Sequence, residues 1–567
     1  MRRPISIYCD WAMHDELGDN VPLTEGLTMR ALDALEHWKT AHEVAFDYYL
    51  LDAFWFEQPG DYRRFNPKTW PNGFGPARRR IEALGMRPGL WLDTTGGRVT
   101  GHAPWKASLN VHDNWAYCLF DGPYGRGLLD AMLNACAEWG VRMFKFDFSN
   151  FFAVSPPYAD LDAGDAYARN VDAFRAILRE LRASYPDVVI LAYNGFVYSR
   201  DYLDSTTQPV LPGVESHWLD VIDYLYSGDP RPADVPCASL RRAVDMYQDH
   251  MVYKFRHSGI PLSRTDDHGC MVGTTNTIYY LGKRGWRRTW VQSLGRGGHK
   301  AHFYGDPTLL DDADVQLLGR ARALFFDLFE RNAVTRPVGG VPCQSPWHGF
   351  QTGSVQDGLL VLVNGTPQRQ DVNLRAYGVR DARVLFHDEG YVPECGLGGN
   401  ALSLTLAPEQ MALVGLGAKA GEECVLGTNV GGDAVTPDAR PVELPFEVGK
   451  GAARCSVPGR LIARAAEGGG FDALRLSFRL RRKGNAVRGA ATGEKPVCES
   501  LRIEVTADGR PVAARRLAPD VRVWSGCSWV TGLYALAELA AARAVTVQFT
   551  CPDAEAAVIP EAWAQSF

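Results

Sequence analysis

Eight short apolar runs, each closed by a polar or ionisable residue and set apart by stretches with helical periodicity, fill the first 330 or so residues of this chain. They are ISIYCDW (5–11), DYYLLDAFWF (47–56), RPGLWLD (87–93), RMFKFD (142–147), VVILAYN (188–194), VIDYLYSGD (221–229), IPLSRTDD (260–267) and HKAHFYGD (299–306). Helical stretches between them include Gly75–Leu84, Gly127–Gly140, Ala163–Ser184, Cys237–His257 and Thr275–Leu294. A strand buried on both faces reads as a continuous apolar run, and parallel neighbours need a crossover helix between them. Eight such units over about 300 residues predict an α/β fold with a (β/α)8 barrel over residues 1–333.

The ends of those runs carry Asp10, Asp52, Asp93, Asp147, Asn194, Asp229, Asp266 with Asp267, and Asp306. An acid after a strand is commonly a turn or helix cap, and that explanation suits Asp306 best and Asp93 about half as well. It strains to cover all eight, whereas a barrel mouth lined with carboxylates is what a polyol pocket needs. The segment VRMFKFDFSN (141–150) is the most pointed case. Lys145 and Asp147 lie two apart on an apolar strand, so they share a face at its carboxyl end, where a barrel holds its active site. A charge there costs desolvation and needs a return, which makes Asp147 the candidate nucleophile. Trp11, Trp55 and Trp91 fall near three consecutive strand ends and are candidates to line the pocket or pack the barrel top. Asn194 is balanced between donating to a substrate and capping the turn before Gly195.

Other features narrow the class. A net charge of −6 gives no reason to expect nucleic acid or an anionic membrane as partner. Twelve cysteines are scattered with no C-x-x-C pair and no His/Cys cluster at zinc spacing, which fits reduced thiols. MRRPISIYCDW does not fit a signal peptide, and no run of 18 apolar residues occurs, so a cytoplasmic location is expected. Fifteen tryptophans suit sugar stacking, although most are expected to be core. GRGGH (295–299) lacks the lysine-serine pair of a phosphate loop. His268 and His302 near carboxylates are ordinary hydrogen-bonded side chains more often than ligands; no metal and no cofactor are expected. From Val334 to about residue 418 the pattern shifts to short strands with turn signals, an antiparallel β-sandwich. A further β-rich region (419–567) follows, either a carbohydrate-binding module with Trp524 or Trp529 as platform or an interface domain, which leaves homo-oligomerisation open.

The barrel motifs resemble the melibiase-like α-galactosidases of glycoside hydrolase clan D, families 36 and 27. The stretch LLDAFWFEQPGDYRRFNPKTWPNGFGPARRRIEALGMRPGLWLD (50–93) is similar to that family's second and third strands, and GVRMFKFDFSN to its K-x-D motif. The resemblance implies an exo-acting retaining hydrolase in which Asp147 is the nucleophile, Lys145 a hydroxyl ligand, Asp52 and Trp55 pocket residues, and Asp229 the acid/base ending strand six. Asp10, Trp11, Trp91 and Asn194 complete the expected binding set. The chain departs from the family at Asp52-Ala53, at the strand-five loop AYNGFVYSR and at SRTDDHG.

A retaining mechanism sets two carboxyl groups ~5 Å apart, one ionised and one protonated. Lys145 is expected to hold Asp147 ionised, and the aromatic run Tyr224–Tyr226 to keep Asp229 protonated. The competing acids are Asp266 and Asp267; a salt bridge from Arg264 would make Asp266 a poor proton donor. In the mixed reading of that segment, Arg264 and Asp267 bind sugar hydroxyls. Two rivals remain: the same machinery on another sugar (α-N-acetylgalactosamine, α-glucose or β-L-arabinopyranose), and a non-catalytic sugar-binding barrel.

Overall fold

The apolar runs become nine short parallel strands: β1 (Ile5–Cys9), β2 (Tyr48–Leu51), β3 (Arg87–Asp93), β4 (Met143–Asp147), β5 (Val189–Ala192), β6 (Tyr224–Tyr226), β7 (Thr265–Asp266), β8 (Cys270–Val272) and β9 (Lys300–Gly305). They form one curled sheet in the order β8-β9-β1-β2-β3-β4-β5-β6-β7, parallel throughout. The structure is a computed structural model and describes residues 3–96, 102–196, 216–275, 281–429, 439–467, 470–482, 485–486, 499–520 and 526–566.

The two edges of that sheet, β7 and β8, are successive pieces of one segment. Thr265–Asp266 pairs with β6 and Cys270–Val272 with β9, so the seventh stave spans the gap through a kink at Asp267–Gly269. His268 (φ 64°) and Gly269 (φ 61°) take left-handed conformations there. The Asp266 and Asp267 carboxylates accept from the backbone N–H groups of His268 and Gly269, at 3.0 and 3.1 Å. A Cβ on Gly269 would lie 2.0 Å from the His302 carbonyl oxygen, so only glycine lets the two staves approach. The run 260–267, expected as one strand, thus holds a 3-10 turn (Leu262–Arg264) and only the two residues of β7, and the stave is completed beyond it by β8.

Each strand alternates between two cores. On β4, Met143 faces the barrel interior with Ile7, Leu50, Val189 and Leu191. Phe144 and Phe146 face the helices, where Phe146 meets Phe174 edge-on at 5.0 Å. Among the described residues, seven helices form the outer layer: α1 (Glu25–His42), α2 (Gly75–Ala83), α3 (Tyr124–Glu138), α4 (Ala163–Ser184), α5 (Leu240–His257), α6 (Trp286–Gly295) and α7 (Asp312–Glu330). Thr24 caps α1, Asp162 caps α4, and Asp311 with Asp314 forms a capping box on α7. The helix expected over Thr275–Leu294 starts only at Trp286, because Gly282 and Gly285 have positive φ (56° and 65°); residues 276–280 lie outside the described residues. No described helix is long and apolar enough to cross a membrane.

Beyond the barrel, a six-stranded antiparallel sheet, closed by a short parallel edge at Gly427–Thr428, faces a three-stranded one. The last region is a second pair of sheets of six and five strands around its own core, which includes Phe478 and Phe549 stacked at 4.8 Å. Both regions are tied to α5, α6 and the barrel loops. Arg288 on α6 is fully buried between Asp245, Asp388 and the Glu409 carbonyl. Arg296 and His348 both hold Asp249 at 2.7 Å.

Candidate active site

The carboxyl end of β4 carries a buried polar cluster. Lys145 and Asp147 both point inward, as the two-residue period requires. Lys145 Nζ donates to Asp52 Oδ2 at 2.7 Å, and its ammonium lies 4.3 Å from the ring centre of Tyr193 and 5.3 Å from that of Tyr304. Burial would raise the Asp52 carboxyl, but Lys145 outweighs it and holds the group below its usual range. Asp52 Oδ2 also accepts from the Cys9 thiol, and the Asp52 backbone N–H donates to Asp10 Oδ1 at 2.9 Å. Asp10 is thus fully buried and positions strand two.

Asp147, 7 % exposed, accepts from Phe148 N at 2.8 Å and Asn194 N at 3.2 Å on Oδ1, and from Trp91 Nε1 at 3.2 Å on Oδ2. Burial nonetheless pushes its carboxyl upward, with Asp229 adding to the rise against the opposing pull of Lys145 and the Phe148 and Trp91 donors. Lys145 favours the ionised form of Asp147, as expected, but its ammonium pairs with Asp52 and desolvation of Asp147 outweighs its pull.

Asp229, half-buried, accepts on Oδ1 from Tyr226 OH at 3.0 Å and Asn194 Nδ2 at 3.3 Å. Asn194 therefore holds both acids, one through its backbone N–H and one through its side chain. Tyr226 also touches His268 Nδ1 and stacks on Tyr193 at 4.0 Å. Burial pushes His268 well below the usual imidazole range and His302 down to about 4, so both rings are neutral.

Other predicted residues take structural places. Asp266, 0 % exposed, pairs with Lys300 at 2.9 Å and accepts from Tyr193 OH at 2.8 Å. Asp267 pairs with Arg296 at 2.9 Å and Lys300 at 3.1 Å. Burial opposes ionisation of both, yet Lys300 for each, with His302 or Arg296 beside it, holds them low. They are poor proton donors, and the cations responsible are Lys300 and Arg296. Arg264 is turned to the amino end of the stave, where it donates to the Leu219, Ile222 and Asp223 carbonyls. The structure does not bring it to the cluster. Trp55 is fully buried, donates to the Trp91 carbonyl at 2.9 Å and packs on Phe65 and Trp139. Trp11 is half-buried, edge-on to His14 at 5.1 Å. Asp306 caps the turn after β9. Trp529, considered as a sugar platform, is fully buried, and Trp524 lies outside the described residues.

Cys9, Tyr193 and Tyr304 were missed as members of the cluster. Counting back by twos from the polar strand ends would have marked Tyr304, which faces inward two before Asp306. Among the described residues, the one group of His, Cys, Asp and Glu side chains close enough to share a metal ion is not at His268 and His302 but on the outer helices.

No family model matches the chain, and no curated protein matches it. Solved structures do. An α-galactosidase from Lactobacillus brevis aligns at TM-score 0.50 and 12% identity, over 73% of this chain and 55% of that one. A family GH36 α-galactosidase variant, AgaA of Geobacillus stearothermophilus in complex with raffinose, aligns at 0.49 and 14%, over 73% and 56%. A putative α-galactosidase from Bacteroides fragilis aligns at 0.47 and 13%, over 73% and 79%. The chain thus spans little more than half the length of the first two. At 12% identity, the likeness to the Lactobacillus brevis structure shows the fold alone, a curled parallel barrel sheet followed by antiparallel β-domains.

Proposed function

We propose that the chain is a retaining α-glycoside hydrolase acting on carbohydrate, of the α-galactosidase type, with Asp147 as nucleophile and Asp229 as acid/base. The supporting observation is the bridge at Asn194, which ties the two carboxyl groups of β4 and of the loop after β6 to one residue. Asp147 receives only N–H donors, which orient its lone pairs and stabilise charge, and its buried site strips the water a carboxylate must shed before attack. Asp229 has one oxygen engaged by Tyr226 and Asn194, which leaves Oδ2 for the glycosidic oxygen. It gives its proton to the leaving group as the glycosyl–Asp147 ester forms, then takes one from the water that hydrolyses the ester. Lys145 and Asp52, locked together, present a fixed pair to ring hydroxyls.

A panel of nitrophenyl α- and β-glycosides identifies the sugar. Asp229→Ala should lose ~10²–10⁴-fold in kcat/KM on an unactivated disaccharide, yet far less on a nitrophenyl leaving group that needs no proton. A 2-deoxy-2-fluoro glycoside should leave a covalent adduct on Asp147, located by peptide mass. An adduct on another residue, or equal losses for both leaving groups, overturns the assignment.

A further inference from the structure

On the outer layer of the barrel, where α1 and α7 pack side by side, His37 and His42 of α1 meet Asp312, the first residue of α7. One ligand atom from each lies within 4.8 Å of the other two. His37 Nε2 is 2.9 Å and His42 Nε2 3.0 Å from the same carboxylate oxygen. We propose that these three side chains form a structural zinc site that staples the first helix of the barrel to the last, with water as the fourth ligand.

Three observations carry this. Zinc bonds of ~2.0–2.2 Å in a tetrahedron put neighbouring ligand atoms a little over 3 Å apart, close to the separations here, and two imidazoles with one carboxylate are a donor set zinc accepts. His42 Nε2 is buried and makes no hydrogen bond despite its 3.0 Å approach to Asp312. Two imidazole nitrogens thus converge on one carboxylate oxygen, an arrangement that a shared cation would satisfy. Third, Asp312 takes no part in the capping of α7. The capping of α7 falls to Asp311 and Asp314, and Lys283 pairs with those two. Asp312 has no Lys or Arg partner among the described residues. The two rings stand 5.8 Å apart at 87°, which aims both at the carboxylate without stacking. Half-exposed His37 and Asp312 leave the outer face open to a water ligand and to entry of the ion.

The contacts of His37, His42 and Asp312 with one another include neither Asp147 nor Asp229, so the test is independent of the proposed hydrolysis. The untagged full-length chain, stripped with chelator, is titrated with ZnCl2 by calorimetry and melted with and without zinc. His37→Ala and Asp312→Asn, both at half-exposed positions, are treated alike; their melting in chelator should match that of the parent. The parent should bind one zinc equivalent more than either variant. Zinc at one hundred times its dissociation constant should shift the parent's folding equilibrium about 100-fold toward the native state, and that shift should vanish in both variants. Equal stoichiometry in parent and variants, or a zinc-induced stabilisation that survives the substitutions, overturns the proposal.

Discussion

Asp147 illustrates how a carboxyl group buried for the proposed chemistry costs stability. Its burial raises its pKa, so at neutral pH the folded chain holds a charge that water would have solvated better. Between the ordinary carboxyl pKa and the raised one the native state binds more protons than the unfolded state, and stability therefore falls as pH rises through that window. Asp147→Asn removes the charge. Its melting temperature relative to the parent should climb as the pH is taken from 4 to 7, while turnover is abolished; a difference that is flat with pH refutes the account. On the proposed hydrolysis, the same shift should move the acid limb of kcat/KM to a higher pH than a solvated aspartate would give, because attack would need the ionised form. Lys145 was legible in sequence as the partner of Asp147 because the two share a face. That it pairs with Asp52 was not, since the pairing depends on the order of strands in the sheet, where β2 and β4 flank β3.

Elements show the same division. The kink between β7 and β8 was readable as turn chemistry in TDDHG, but not as the place where the sheet closes. Closure depends on the approach of Gly269 to His302, thirty-odd residues on in sequence. Gly269→Ala should cost about 3 kcal/mol, from the left-handed backbone and the contact with the His302 carbonyl together. A denaturant midpoint within error of the parent would refute this. The helices and strands themselves were largely legible: Ala163–Ser184 follows its periodicity to both ends, because Asp162 caps it and its apolar stripe faces the barrel. The misplaced start of α6 came from two glycines whose left-handed backbone overrides a helix-like pattern.

The whole molecule makes the last β-region part of the barrel's upper surface. Trp529 Nε1 donates to the Ala233 carbonyl at 2.7 Å, and Ser528 Oγ to Asp234 at 3.0 Å. Glu409 of the sandwich accepts from the Ala238 N–H and pairs with Arg475 at 2.7 Å. These contacts grip the segment that follows Asp229, so the far end of the chain steadies the loop of the proposed acid/base. Trp529→Phe keeps an aromatic side chain but removes the indole N–H from the Ala233 carbonyl and leaves a gap where the larger ring stood, a cost of at least ~1–3 kcal/mol. On the proposed hydrolysis it should lower kcat with little change in KM. An unchanged kcat would mean that the grip is only structural.

Local chemistry along the chain was enough to predict a barrel of βα units, the β-domains that follow it, and a charged pair on the fourth strand, because periodicity and strand-end polarity are properties of neighbouring residues. Which charges neutralise one another, which tryptophans are buried, and which histidines meet an aspartate 270 residues away are set by packing between distant segments. Those outcomes rest on desolvation and close approach in three dimensions, and no spacing along the chain encodes them.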